Sequence, residues 1–414
     1  MEITVPIQQI NTPSDIRLMN ELRVLEQFGG GDTLTAAEII SATGISKPTV
    51  MKILQHLCSQ GVIRSAGMGS STSAGGKKPE LYVFADERRI LSINFWPQTA
   101  SLALAGLVGD VYALETTAHE LSDDLDAEIL WLGSFVRDYF ARHRLSMSSI
   151  YGVVVSTSGT VDCEKKILRY NSQAPGWGSN LHLDRYFEQF VGDSRQYIIE
   201  NAGKVTGRAI LADDPEMKNK RVLTVFTTWG VSGCLMENGR VLNGKDYLIG
   251  EIGHMTVSED TTLQCGCGRC GCLEQTVSMK HILSLAEKLN APWYKKGMKL
   301  DFAELFSYSK KGDSASRKIV KQLAHYFATM LHNVMLVYNP DAVVFQGSYA
   351  YADAYFDKCL RVELNTFRYN PQESVQILYD RTPLELQAAK GGAYILRQKY
   401  FSGIQSDTKT KQEN

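Results

Sequence analysis

The 414-residue sequence predicts a helical domain with a β-wing over residues 1–88, an α/β domain of two lobes over 89–403, and a disordered polar tail over 404–414. Two observations carry this division. Apolar residues recur at helical spacing around a tight glycine turn near residue 44. After Arg88 the chain alternates β-hairpins with helices, and does so twice, which suggests two lobes with a cleft between them.

Bulk properties narrow the function classes. The net charge of −1 gives the whole molecule no field that would draw it to nucleic acid, so any such affinity must be local. Hydrophobic residues at 44% and charged residues at 21% fit a soluble protein with a sizeable core. No apolar run approaches the ~18 residues of a membrane helix. The opening "MEITVPIQQINTPSD" lacks the basic start and apolar stretch of a secretory signal. Half of the eight cysteines crowd into one segment, as metal-binding thiols of a reducing cytoplasm do.

In the first part, Ile16, Leu18, Met19, Leu22 and Leu25 mark one helix. Thr33 or Thr35 is placed to cap a second, ending near Thr43. Gly44 supplies the turn and Ile45 its apolar anchor. Ser46 is placed as the cap of a third helix with Pro48 in its first turn, where the missing N–H costs nothing. Val50, Ile53, Leu54 and Leu57 then recur at helical spacing. Val62–Arg64 and Leu81–Phe84 read as short strands flanking "SAGMGSSTSAGGKKPE", a wing whose Gly75 and Gly76 allow close backbone approach.

Charge indicates what this part meets. Ile39 to Pro79 contains no Asp or Glu, yet carries Lys47, Lys52, Arg64, Lys77 and Lys78. An acid-free basic stretch in a near-neutral protein is the electrostatic footprint of a phosphate-binding face. The expected DNA contacts are Ser46, Lys47, Thr49 and Lys52 on the third helix and Lys77 and Lys78 on the wing. The competing reading is a small helical bundle that binds protein.

In the second part, "ILSINFWPQTASLALAGLVGDVYALE" reads as three strands joined by turns, and "IYGVVVSTSGTVD" as a buried strand entering a polar loop. Helices are expected at about 126–143, 276–290 and 314–337. "RVLTVFTTWGVSGCLMENGRVL" is a hairpin series turning at Asn238-Gly239, and "DAVVFQGSYA" a late strand ending at Gly347.

Between them lies "GEIGHMTVSEDTTLQCGCGRCGCLE", Gly250 to Glu274. A closed structural zinc site takes four N or S ligands in a tetrahedron. Cys265, Cys267, Cys270 and Cys272, together with His254, offer more than one such set. Gly266, Gly268 and Gly271 suit a knuckle folded tightly around an ion.

Glu251-Ile-Gly-His254, followed by Cys265-Gly-Cys267-Gly-Arg-Cys-Gly-Cys272-Leu-Glu274, closely resembles the two signatures of the ROK family of repressors, open reading frames and kinases. "AGGKKPELY" and "NSQAPGWGSNLHL" extend the resemblance over nearly the whole chain. It implies an actin/hexokinase-like, ribonuclease H-like domain behind a winged helix-turn-helix. It also implies a structural Zn2+ held by His254, Cys265, Cys267 and Cys272, with Cys270 an extra thiol, against a rival set of four cysteines. Sugar hydroxyls would be held by Asn201, Glu251, His254 and Glu274, since carboxylates and an amide bond vicinal hydroxyls well. Asn171 and Trp177 are further candidates for shaping the pocket.

Two departures from the family's kinases argue against phosphoryl transfer. In "IIENAGKVTGRA", Ala202 stands where the kinases carry the Asp that deprotonates the sugar, and a methyl group accepts no proton. In "INFWPQTA", Phe95, Trp96 and Pro97 replace a glycine turn whose N–H groups cradle phosphate: Pro97 offers no N–H, and the two aromatics are expected to crowd a triphosphate. The expected protein is a cytoplasmic, sugar-responsive transcriptional repressor, a homodimer on operator DNA with a non-catalytic sensor domain; the alternative is a sugar kinase acting on a hexose or N-acetylated sugar.

Overall fold

The computed structural model describes residues 13–28, 33–70, 78–107, 109–191, 196–366 and 375–412. It opens with helices Pro13–Leu25, Ala36–Thr43 and Lys47–Ser59. Thr35, not Thr33, is the cap of the second: its hydroxyl accepts the Glu38 N–H at 3.2 Å while Glu38 accepts the Thr35 N–H at 2.7 Å. Gly44 takes a left-handed conformation, with φ 67°, and turns the chain into the third helix. Val50, Ile53, Leu54 and Leu57 are buried as their spacing predicts, with Ile45 beside them. Ile16 does not join this core and is 54% exposed, whereas Val24 and Leu25 at the C-terminal end of its helix are buried. Ser46 occupies the cap position, but its hydroxyl bonds Thr49 Oγ1 at 2.9 Å rather than the backbone. Strands Ile63–Met68 and Glu80–Phe84 form the antiparallel wing, joined by the two-residue strand Leu34–Thr35.

Each lobe of the α/β part is built on a five-stranded mixed sheet. In the first, the order is Gln196–Asn201, Ile150–Thr157, Arg89–Trp96, Gln98–Gly106, Val111–His119, with the first three parallel. Helix Leu125–His143 packs Ile129, Leu132 and Val136 on one face. The last helix, Leu384–Gln412, packs Ala388, Ala393 and Leu396 on the other. A strand covered on both faces reads as a continuous apolar run, as Ile150–Thr157 does.

The second sheet runs Arg240–Val241, Val231–Glu237, Val222–Thr227, Ala342–Gly347, Gln376–Asp380. Asn238 and Gly239 both have positive φ, 51° and 72°, the mark of a two-residue hairpin turn. Helix Ser314–Val337 lays Ile319, Leu323 and Phe327 on this sheet; its bounds and those of Ala342–Gly347 are the ones the sequence predicts. A small sheet of Thr160–Asp162, Ile167–Tyr170 and Ser179–His182 projects from the first lobe.

The last helix also reaches the N-terminal domain. Tyr400 donates its hydroxyl to Asp86 at 2.9 Å and meets Phe84 of the wing edge-on. Nearby, Lys218 pairs with Glu26 at 2.8 Å. This helix continues to Gln412, so residues 404–412 are helical where their polar composition predicts disorder. Extending a helix already nucleated by packing costs far less than starting one. No helix among the described residues is long and apolar enough to cross a membrane.

Candidate functional site

The Glu251–His254 turn follows strand Val231–Glu237 and lies against it. A Cβ on Gly253 would fall 2.0 Å from the Val231 carbonyl oxygen, so only glycine lets the turn approach this closely. From here the chain enters the knuckle. Cys265 N–H donates to the Arg269 carbonyl, Gly268 N–H to the Cys265 carbonyl, and Leu273 N–H back to Met255. Gly271, at φ 70°, has the Ser258 carbonyl 1.9 Å from where a Cβ would stand.

These bonds gather the ligand atoms of His254, Cys265, Cys267 and Cys272, all within 4.8 Å of one another. Cys267 and Cys272 sulfurs are 3.7 Å apart, and Cys265 Sγ is 3.5 Å from His254 Nδ1. Zn–S bonds of about 2.3 Å and Zn–N of about 2.0 Å in a tetrahedron require separations of about 3.5–3.8 Å. The donor set therefore fits a structural zinc ion. Cys270 stands outside the cluster, which favours the His-containing set over four cysteines.

The four residues expected to hold a sugar line one cleft between the lobes. Asn201 ends a strand and caps the next helix: its Oδ1 accepts the Lys204 N–H at 3.2 Å, and its Nδ2 donates to Gly159 O at 2.8 Å. Glu251 Oε1 accepts the Thr160 hydroxyl at 3.0 Å. Glu251 Oε2 lies 4.0 Å from His254 Nε2, the ring nitrogen on the side away from the cysteines. Glu274 Oε2 accepts the Val231 N–H at 3.2 Å. Burial pushes the Glu274 carboxyl above its ordinary range, with His254 pulling the other way.

Ser158, Thr160 and Gln173 also surround these residues, and no motif announced them. Asn171 and Trp177 do not line the cleft. Asn171 instead orients two residues that do, donating to Ser158 Oγ and accepting from the Gln173 N–H, both at 3.0 Å. Trp177 is buried against Phe95 and donates to Ser122 O.

Ala202 lines the cleft directly after Asn201, so a methyl occupies the wall where a base would stand. The turn after Arg89–Trp96 corrects one expectation. Phe95 does not crowd the cleft, because it is buried on the opposite face with Trp177 and Phe187. Strand alternation sends only Trp96 inward, where its indole donates to Ser156 Oγ at 3.2 Å and meets Phe226 edge-on. Pro97 lines the cleft beside it and offers no N–H.

A model of the ROK family matches residues 74–399, and one of the MarR family matches residues 14–67. The chain belongs to the ROK family. It carries an N-terminal winged helix-turn-helix of MarR type, and the ROK domain has the two-lobed hexokinase fold. The DNA-binding transcriptional dual regulator NagC of Escherichia coli K12 is 22% identical, over 96% of this chain and 95% of its own. A glucokinase of Halalkalibacterium halodurans is 25% identical, over 50% of this chain; the chain spans 63% of that enzyme's length. Among solved structures, a ROK family transcriptional regulator homologous to the E. coli MLC protein superposes with a TM-score of 0.71 at 17% identity, covering 92% of this chain and 98% of that one. The two regulators align over more than nine-tenths of this chain, and the glucokinase over half of it.

The helix-turn-helix and these relatives imply DNA binding. On the third helix Ser46, Lys47 and Lys52 are exposed and Thr49 half-buried; Lys78 is exposed just before the second wing strand, and Gly75, Gly76 and Lys77 lie outside the described residues.

Proposed function

We propose that this ROK protein is a cytoplasmic, sugar-responsive repressor that binds operator DNA as a homodimer through residues 1–88 and senses a sugar through residues 89–403 without phosphorylating it. The observation that carries this reading is the cleft itself. Asn201, Glu251, His254 and Glu274 converge there as hydroxyl-binding groups, while Ala202 and Pro97 stand where proton abstraction and phosphate binding need a carboxylate and an N–H. Zinc in the knuckle braces Glu251 and His254 against Glu274. The four ligands leave no open position for water, so the ion's part is structural.

The cleft measures about 60 Å3, well below the roughly 300–1,000 Å3 of ordinary ligand pockets. Binding a pyranose thus requires the lobes to move. The last helix packs on the Asn201-capped helix, spans the first lobe's sheet and holds the wing through Tyr400. Lobe movement is thereby relayed to the DNA-binding domain. Sugar releases DNA only if it binds the DNA-incompetent arrangement more tightly.

The test has two arms on the full-length protein. A sugar panel should shift the melting temperature and, for the same sugars, weaken binding to operator DNA. ADP release with ATP and each sugar should stay far below the ~1–100 s−1 of working kinases. Ala202→Asp should remain inactive in the same assay, because restoring a base leaves Pro97 in place. Turnover in the kinase range by the native protein would make the chain a sugar kinase instead; turnover by Ala202→Asp alone would show that Pro97 does not by itself prevent phosphate binding.

A further inference from the structure

Beyond the inner cleft lies a second, larger chamber of about 710 Å3. Glu251 and His254 line both spaces, so the two meet at the residues that hold the sugar's hydroxyls. The outer walls come from three segments: Arg169 and Tyr170 on the small sheet, Asp246 and Leu248 on the loop before Gly250, and Arg269 on the knuckle. Resting on the sugar-sensing reading above, we infer that the effector is a neutral disaccharide or longer glycoside, with one unit in the inner cleft and the next in this chamber.

The chemistry of the chamber selects that class. Tyr170 and Leu248 are exposed apolar side chains, 38% and 61% accessible, at one opening. A pyranose presents an apolar C–H face that stacks on such a surface, and its edge hydroxyls need planar donors and acceptors. Arg269, already oriented by its bond to the His254 carbonyl, and the Asp246 carboxylate supply both. A phosphate group is poorly served. Arg169 is neutralised by Asp162 at 2.7 Å, and Asp246 and Glu251 add negative charge. The Tyr170 hydroxyl reaches the Gly266 carbonyl at 3.5 Å, so the chamber spans a segment of the first lobe and the knuckle of the second.

Calorimetry on the full-length protein tests this with matched pairs: glucose with cellobiose and maltose, N-acetylglucosamine with N,N′-diacetylchitobiose, xylose with xylobiose, and the hexose 6-phosphates. At least one disaccharide should bind about tenfold more tightly than its monosaccharide, an ordinary gain for a second contacting unit. Leu248→Trp, which fills the chamber from an exposed position, and Tyr170→Ala should each remove that gain. Monosaccharides binding as tightly as every disaccharide, a 6-phosphate binding most tightly, or a gain untouched by both variants would each overturn the inference while leaving the sugar-sensing reading intact. Binding of no sugar at all sinks that reading and this one together.

Discussion

Cys272→Ser protein is expected to lose its zinc and, with it, the response to sugar. Cys272 is fully buried, its sulfur 3.7 Å from Cys267, and it caps the short helix that carries Glu274. Removing one thiolate from a four-ligand set leaves an ion held by three groups and a hydroxyl that binds it weakly. The loop from Met255 to Leu273 then lacks the bond that closes it, and Glu251 and Glu274 lose their common frame. Loss of a metal belongs with the largest single-site effects on stability, on the order of 4–5 kcal/mol. Metal content by mass spectrometry should fall from about one equivalent to near zero. The melting temperature should drop, and chelation of the native protein should reproduce that drop. Cys270→Ser is the control: its sulfur lies outside the cluster, so that variant should keep its zinc and its sugar response. Zinc retained by Cys272→Ser, or lost from Cys270→Ser, would assign the ion to a different ligand set.

The second large effect belongs to the other end of the molecule. Lys52→Glu should lower affinity for DNA selected from a random-sequence pool by at least about tenfold near physiological salt, and should flatten the salt dependence. Each phosphate neutralised by a cation contributes about 0.9 to the slope of log affinity against log salt, and reversing the charge replaces that attraction with repulsion. Lys52 is exposed on the helix Lys47–Ser59, in a stretch with no acidic residue from Ile39 to Pro79. Its neighbours Ile53 and Leu54 hold the core, so the fold should survive the change. The sugar-induced thermal shift should be unaltered, since the cleft is assembled from residues far along the chain. Unchanged DNA affinity would place recognition on another surface.

Much of this architecture was legible in residue order. Wherever a local rule and the tertiary demand agree, as in the Thr35 capping box, the Gly44 turn, the Asn238-Gly239 hairpin and the helix Ser314–Val337, the elements fall where periodicity and turn chemistry put them. The cysteine spacing likewise announced a metal site, because a short glycine-rich loop brings its own ligands together. Ile16, Phe95 and Trp177 take other places than residue order suggests, for one reason. Which face of a helix is covered, or which way a strand residue points, depends on neighbours distant in sequence. Phe95 and Trp96 are adjacent and both aromatic, yet one supports the lobe's core and the other lines the cleft.

By itself, the sequence determined family, domain order, the acid-free basic stretch and the absence of a carboxylate at position 202, since all of these reside in residue identity and short-range spacing. The tertiary structure gathers His254 with Cys265, Cys267 and Cys272, the set the family resemblance implies, and it alone decided that Ser158 and Gln173 complete the cleft while Thr160 holds Glu251. It alone disclosed that a second chamber opens beyond Glu251 and His254. The physical reason is separation along the chain. Glu251 meets Thr160 across 91 residues and Glu274 meets Val231 across 43; contacts of that range are set by how sheets and lobes pack, which no local pattern encodes.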